Sequence, residues 1–355
     1  MKVSGNMKYS AGFVSCGAVA IGILLGFGTP QRASGQPAQV GPVAQVQGAG
    51  NILHLIADLE KNLAFYHDTL GLVVNRAPRG PADHPTAYIK LLPIIGPMYL
   101  ASPDALYRSA EVALANNQVH LEQEDFKDVG TKNIRRKLTD PGATLMTLTV
   151  RDLDDQVSKL VAAHADIVTP GGKPMMVKTA NGPERQFVVK DPDGYFVLLA
   201  QASDAQKASP PGPGSPNVTD LKLTITVEDL DATVHFYRDD FGFNPKDPTP
   251  FGTGLDVAGL KGVQYRTSES LIPGTQMHFD FVEFKGVPRR MYHPSIHDVG
   301  ATLLRLGIPD LNVLTQNLRN AGIPIVSTTG EPVGNFVIAR APDDLFIQFF
   351  KIRQQ

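Results

Sequence analysis

His120, Glu122 and Glu124 alternate along VHLEQEDF, and alternate residues of an extended chain point to one face. Such a row could supply up to three ligands to a metal, or an acid and base pair if burial raises one carboxyl. A solvated, Glu-rich strand face is the plainer expectation. His278 and Asp280 hold the matching places in MHFDFVEF, as common ancestry alone would also produce. His293 and His297 in MYHPSIHDVG have the spacing of a helical metal pair, but Pro294 between them breaks a continuous helix, so a loop is expected. His54 is expected as a satisfied core histidine, and His67, His164 and His235 fall on surface helices with nothing to group them. The Gly-rich pieces GTGLDVAGLKG and TPGGKP lack phosphate-loop spacing and read as turns. No nucleophile elbow, nucleotide P-loop or HExxH helix is present.

The elements that must position these residues repeat four times. ILHLIADLEKNLAFYHDTLG, TLMTLTVRDLDDQVSKLVAAH, LKLTITVEDLDATVHFYRDDFG and TLLRLGIPDLNVLTQNLRNAG each run from an apolar or alternating stretch through an Asp-Leu pair into a helical pattern. Asp58, Asp152, Asp229 and Asp310 are placed as N-caps, and Gly71, Gly242 and Gly322 can end three of the helices. Short β-rich runs follow each helix, so each unit reads as βαβββ. VHLEQEDFKDVG and TDPGATLMTLTVRDL match MHFDFVEFKGVP and HDVGATLLRLGIPDL at one constant offset, Val119 with Met277 and Thr139 with His297. Tandem duplication of a two-unit domain is the economical reading.

Strand phase follows from packing. Leu223, Ile225 and Val227 should lie under the following helix, which turns Lys222, Thr224 and Thr226 to the other face. By the same argument Ile52, His54 and Ile56 face a helix while Asn51, Leu53 and Leu55 face away from it. In the second and fourth units Leu145, Thr147 and Thr149, and Leu303, Arg305 and Gly307, also face away.

Composition narrows the function classes. The chain has 355 residues, with 33 Lys+Arg against 35 Asp+Glu and a net charge of -2, which leaves no basic footprint for nucleic acid. Its single cysteine, Cys16, can form no internal disulfide, and no cysteine cluster can hold zinc or iron-sulfur. Residues 1–35 combine Lys2 and Lys8, an uncharged apolar stretch over 11–28 and small residues near Gly35, as a secretory signal does. Export to a periplasm or beyond is expected, with an uncleaved anchor as the alternative. Residues 36–50 read as a disordered tether and the Pro/Gly-rich 202–217 as a linker, leaving domains over 51–201 and 218–355.

The Asp-Leu-capped helices carrying Phe65-Tyr66 and FYRDDFGF (236–243), with the DPDGY turn (191–195) before a final strand, resemble the vicinal oxygen chelate superfamily of glyoxalases, bleomycin-resistance proteins and extradiol dioxygenases. The resemblance implies an α+β fold in which four βαβββ modules pair into two cups of curved sheet. It also implies a divalent metal held at positions that here are Asn51, Glu122, Leu145 and Leu198 in the first domain, and Lys222, Asp280, Leu303 and Gln348 in the second. Neither set contains a histidine and each has one carboxylate, too few donors for a divalent site. Lys222, Asp280, Arg305 and Gln348 are expected to converge on one cup, where Lys222 would take the place of the cation, either to hold an anionic or oxygen-rich molecule or to form a structural Lys222–Asp280 pair. The expectation is a small-molecule binding protein without a cofactor. The alternatives are an enzyme of glyoxalase or dioxygenase type with iron, manganese, nickel or zinc at an atypical site, and a scaffold with filled cups. Asn51, His120, Glu122, Lys222, His278, Asp280, Arg305 and Gln348 are the candidate ligand-binding residues, and nothing in the sequence fixes the oligomeric state.

Overall fold

A computed structural model describes residues 45–77, 84–114, 119–179, 182–204, 207 and 217–352. The expected signal segment and most of the expected linker lie outside these residues. The first unit comprises β1 (Gly48–Ile56), α1 (Leu59–Leu63), β2 (Val74–Arg76), β3 (Ile89–Lys90), α2 (Ile95–Met98), β4 (Leu106–Ala113) and β5 (His120–Lys127). The second comprises β6 (Thr144–Val150), α3 (Leu153–Ala162), β7 (Asp166–Ile167), β8 (Met175–Thr179), β9 (Gly182–Lys190) and β10 (Phe196–Gln201). The third has β11 (Val218–Val227), α4 (Leu230–His235), β12 (Gln264–Ser268) and β13 (His278–Lys285). The fourth has β14 (Thr302–Ile308), α5 (Leu311–Asn320), β15 (Phe336–Arg340) and β16 (Phe346–Lys351). In these last two units one of the expected strands shrinks to a single bridge, Gly252 with Tyr265 and Ile325 with Ala339.

The four module helices α1, α3, α4 and α5 start where the sequence places their caps. The carboxylates of Asp58, Asp152, Asp229 and Asp310 accept from the amides of Lys61, Asp155, Ala232 and both Asn312 and Val313, at 2.8–3.2 Å. These bonds satisfy first-turn donors that the helix cannot satisfy itself. α1 and α4 run on into π-helical turns, Ala64–Thr69 and Phe236–Asp240, that carry the two Phe-Tyr pairs. Both turns end at glycines with φ near +70°, a conformation that costs other residues a steric penalty.

Two eight-stranded sheets result, ordered β15-β16-β14-β1-β5-β4-β2 with β3 on β4, and β12-β13-β11-β6-β10-β9-β7 with β8 on β9. The duplication suggests a cup from each half of the chain. The sheets instead join the first unit to the fourth through the antiparallel β1–β14 pair, and the second to the third through β6–β11. The alternation that sets strand phase is equally served by either partnership, so the phases hold while the partners differ. Leu223, Ile225, Val227, Met146, Leu148, Leu304, Leu306 and Ile52 share one continuous core beneath the helices. The opposite faces line two cups.

Residues 45–50, expected in a disordered tether, are ordered instead. Val46 is buried, the Gln47 amide donates to Gly307 O, and Gly48–Gly50 begin β1 because they have strand β14 to pair with. The DPDGY turn fixes the second unit to the first. Asp193 accepts from the Ala57 amide and the Asn62 amide group, Asp191 accepts from the Tyr66 hydroxyl, and the Tyr195 hydroxyl donates to the carbonyls of Leu55 and Ala301. Asp343 repeats this contact between the fourth and third units, accepting from the Glu228 amide and the Thr233 hydroxyl.

Candidate functional site

Glu122 is the hub of the cup that the first and fourth units share. It lies on β5 beside Leu53 of β1 and across from Glu111 of β4, so its side chain points to the concave face. Asn51 Nδ2 donates to Glu122 Oε2 at 3.0 Å and to Glu111 Oε1 at 3.1 Å. Arg76 Nη2 donates to Glu122 Oε1 and lies 2.8 Å from Glu111 Oε1. Arg305, reaching across from β14, donates through Nη1 to Glu122 Oε2 and through Nε to Gln348 Oε1. Gln348 is fully buried and completes the chain with a long Nε2 contact to Met98 Sδ at 3.9 Å.

A cleft of about 510 Å³ opens over this network. Its polar wall includes Asn51, Arg76, Ser109, Glu122, Glu124, Arg305 and Gln348; Leu92, Ile94, Ile95, Phe336 and Phe350 make an apolar wall. Beneath it a cluster of Leu53, Leu55, Tyr99, Tyr107, Phe126, Leu303 and Phe346 closes the cup. The partly exposed His120 lies 3.9 Å from Glu111 and 3.4 Å from the Asn75 amide group.

The two carboxyls in the row are pushed apart. Burial raises Glu122, but Arg305, Arg76 and the Asn51 hydrogen bond together outweigh it and hold the carboxylate below its ordinary range. Glu124, two residues on, is pushed up to about 8, first by burial and then by the negative charge of Glu122. At neutral pH one is therefore ionised and the other protonated. The expected solvated strand face is wrong for this pair: Glu122 is 3% and Glu124 4% exposed, because Ile95, Met98, Tyr107, Arg76, Arg305 and Gln348 crowd the same concave face.

The other cup is built differently. Lys222 Nζ lies 3.5 Å from Asp280 Oδ2, His278 Nδ1 lies 3.8 Å from Asp280 Oδ1, and the Ser270 amide donates to Asp280 Oδ1 at 3.0 Å. Burial raises the Asp280 carboxyl, while Lys222 and the Ser270 amide oppose the rise. Leu138, Val188, Phe196, Leu198, Val257, Ala258 and Phe284 pack together in the concavity. The expected convergence of Lys222, Asp280, Arg305 and Gln348 does not occur, because β11 and β13 belong to one sheet while β14 and β16 belong to the other. Lys222–Asp280 is an ion pair beside a packed cup; Arg305 and Gln348 join Asn51 and Glu122 in the open one.

Regrouped by sheet, the four positions implied for a metal in the open cup are Asn51, Glu122, Leu303 and Gln348. Leu303 has no donor, Asn51 spends its amide on two carboxylates, and the oxygens of Glu122 and Gln348 both receive the Arg305 guanidinium. A cation belonging to the chain thus stands between the two best ligands, the role expected of Lys222. The packed cup supplies Leu145 and Leu198, without donors, and an Asp280 paired to Lys222. These residues do not fit a divalent ion in either cup. Among the described residues no cluster of three His, Cys, Asp or Glu side chains forms a metal site, and His293 and His297 lie in a loop bound to Asp344 and to Tyr99 O.

Arg76, Glu111, Tyr99 and Tyr107 escaped the sequence reading. The alternation of Tyr107, Ser109 and Glu111 in β4 was the available signal, but no sequence feature tied that run to β5. His54 is buried as expected, yet neither ring nitrogen has a hydrogen-bond partner among the described residues. It stacks on Tyr195 at 3.7 Å, and burial lowers its pKa to about 3.

A sequence model described as the glyoxalase/bleomycin resistance protein/dioxygenase superfamily matches residues 50–199. Residues 50–199 are a domain of this superfamily. Among solved structures, glyoxalase I from Zea mays is similar at 15% identity and a TM-score of 0.53, covering 86% of this chain and 92% of that one. A putative dioxygenase from Bacillus subtilis is similar at 11% identity and 0.51, covering 86% of each chain. Comparison with curated proteins gives no sequence match. At these identities the likeness speaks for the glyoxalase/dioxygenase fold over most of the chain. The matched domain supplies Asn51, Glu111, Glu122 and Glu124; Arg305 and Gln348 come from beyond it, so the open cup is completed by the far end of the chain.

Proposed function

We propose that the open cup binds a small organic molecule bearing oxygen functions on an apolar body, in an exported protein that uses Arg305 where its superfamily would use a divalent ion. The observation that carries this reading is the Arg305 guanidinium shared between Glu122 and Gln348 at the base of an open cleft. Within the cup, Arg76 and Arg305 face the paired carboxylates of Glu111 and Glu122, and Glu124 is protonated at neutral pH. This balance favours neutral, oxygen-rich ligands over strongly anionic ones, since an anion would have to displace a carboxylate from its arginine. The apolar wall of Leu92, Ile94 and Phe336 suits a hydrocarbon ring or chain.

The protonated Glu124 can donate to a bound ligand oxygen, whereas Glu122, with its oxygens held by Arg76, Arg305 and Asn51, serves to fix those groups rather than to take a proton. The nearly balanced charge supports a small molecule rather than nucleic acid as the ligand. The packed cup, filled by Leu138, Val188, Phe196 and Phe284, supports its own sheet.

The test uses the full chain, purified without chelators. Elemental analysis is expected to give far less than one divalent metal per chain, before and after incubation with iron, manganese, nickel or zinc. Equilibrium dialysis against mono- and bicyclic aryl ketones is expected to give saturable binding that Leu92→Trp, at the exposed rim, abolishes. Stoichiometric tight metal, or binding indifferent to the rim substitution, would refute the proposal.

A further inference from the structure

Four buried polar atoms at the floor of the open cup have no hydrogen-bond partner among the described residues: Glu124 Oε2, Tyr99 Oη, Tyr107 Oη and Arg76 Nε. Buried polar groups are paired in the great majority of cases, and an unpaired one costs roughly 1–3 kcal/mol. Four in one cup, on separate elements, call for an occupant. Tyr107 and Glu124 line the cleft itself, and Tyr99, at the end of α2, sets its hydroxyl beside the Glu124 carboxyl without a bond of normal geometry. Glu124 pairs across the β4–β5 ladder with Ser109, which makes Tyr107 its diagonal neighbour on the concave face.

We infer that the Glu124 carboxyl and the Tyr107 and Tyr99 hydroxyls form a donor subsite for a carbonyl or enolate oxygen of the ligand. The inference rests on the open cup being a small-molecule site and names the group that enters it first. With Glu124 protonated, its carboxyl and the two tyrosines offer O–H donors from separate elements to one ligand oxygen, and a bare acceptor oxygen can take them together. The charged and titratable groups that face Glu124 are Glu122 on its own strand, Tyr99 from α2, Arg305 from β14 and Arg76 from β2. Both arginines are already engaged by carboxylates, which leaves the O–H groups to orient the ligand oxygen. Donors fixed by a buried sheet need little reorganisation to meet a ligand oxygen.

Matched ligands test this. 2-Acetylnaphthalene and 2-ethylnaphthalene differ in the carbonyl oxygen and little in shape, and each dissociation constant can be measured by dialysis against the full chain. The expected result is a preference for the ketone of roughly tenfold, reduced to about two- to threefold in Tyr107→Phe and in Tyr99→Phe, each of which removes one hydroxyl. The preference should weaken above pH about 8 in the unaltered protein. It should stay constant in Glu124→Gln, whose amide still donates but cannot ionise. Equal binding of the two compounds, or a preference that survives both tyrosine substitutions and has no pH dependence, would overturn the subsite while leaving the cup as a binding site. Binding of neither compound would remove the cup reading and the subsite with it.

Discussion

Replacing Glu124 by glutamine removes one titration from the cup while keeping its shape, and the consequence for stability can be worked from the structure. The Glu124 carboxyl titrates at about 8 when folded, against an ordinary 4.5. The folded chain therefore holds this proton over a pH range in which the unfolded chain has released it. Stability that is fully present below the unfolded value is lost as pH rises through the window from about 4.5 to about 8. The slope within the window approaches about 1.4 kcal/mol per pH unit, and the whole loss is at most about 5 kcal/mol, less where the site relaxes or admits water. Urea unfolding of the parent and of Glu124→Gln across pH 5–9 isolates the effect, because Glu122 stays ionised in both throughout that range. The difference in unfolding free energy, parent minus variant, should fall steadily with pH and level off above about 8. A flat difference, or one that rises with pH, would refute the claim that Glu124 is buried as a neutral acid.

Arg305→Met leaves Glu122 with Arg76 and Asn51 alone and strands the Gln348 carbonyl; loss of one partner from a buried pair should cost about 3–5 kcal/mol, read from the denaturant midpoint. Asp58→Ala and Asp310→Ala each remove an N-cap and should cost about 1 kcal/mol, the two adding within error in the double variant because they cap different helices. His54→Leu exchanges an imidazole with two unpartnered nitrogens for an apolar side chain and should raise stability by roughly 1 kcal/mol, the lost stack on Tyr195 notwithstanding; a loss above about 2 kcal/mol would show that the nitrogens have partners.

The sequence carried the local structure well. Caps, strand phases and the repeat are properties of residues close in the chain, and Asp58, Leu223 and Arg305 behave as their neighbours dictate. Partnership between units was not legible, because strand β1 has an alternating pattern that pairs equally well with β6 or β14. That one ambiguity decided the site. It separated Lys222 and Asp280 from Arg305 and Gln348, and brought Asn51 and Glu122 to the latter pair. The depth of Glu122 and Glu124 was hidden for a related reason. A Glu-rich strand is ordinarily solvated, and only the side chains that crowd the concave face, with arginines from β2 and β14, make its burial tolerable.

The pairing of first unit with fourth and second with third nests one sheet inside the other along the chain, like brackets within brackets. During synthesis the inner pair has all its strands once β13 has emerged, whereas the outer pair waits for β16, the last strand of the fold. Pairings so distant in sequence are slow to form, and until then β1 offers an unpaired edge. The inner cup, packed with side chains, can therefore serve as the template on which the outer one closes. Chain termination before Phe346 would leave Arg305 without Gln348 and take Ile347 and Phe349 out of the shared core. The open cup is thus assembled only once β16 has joined β14.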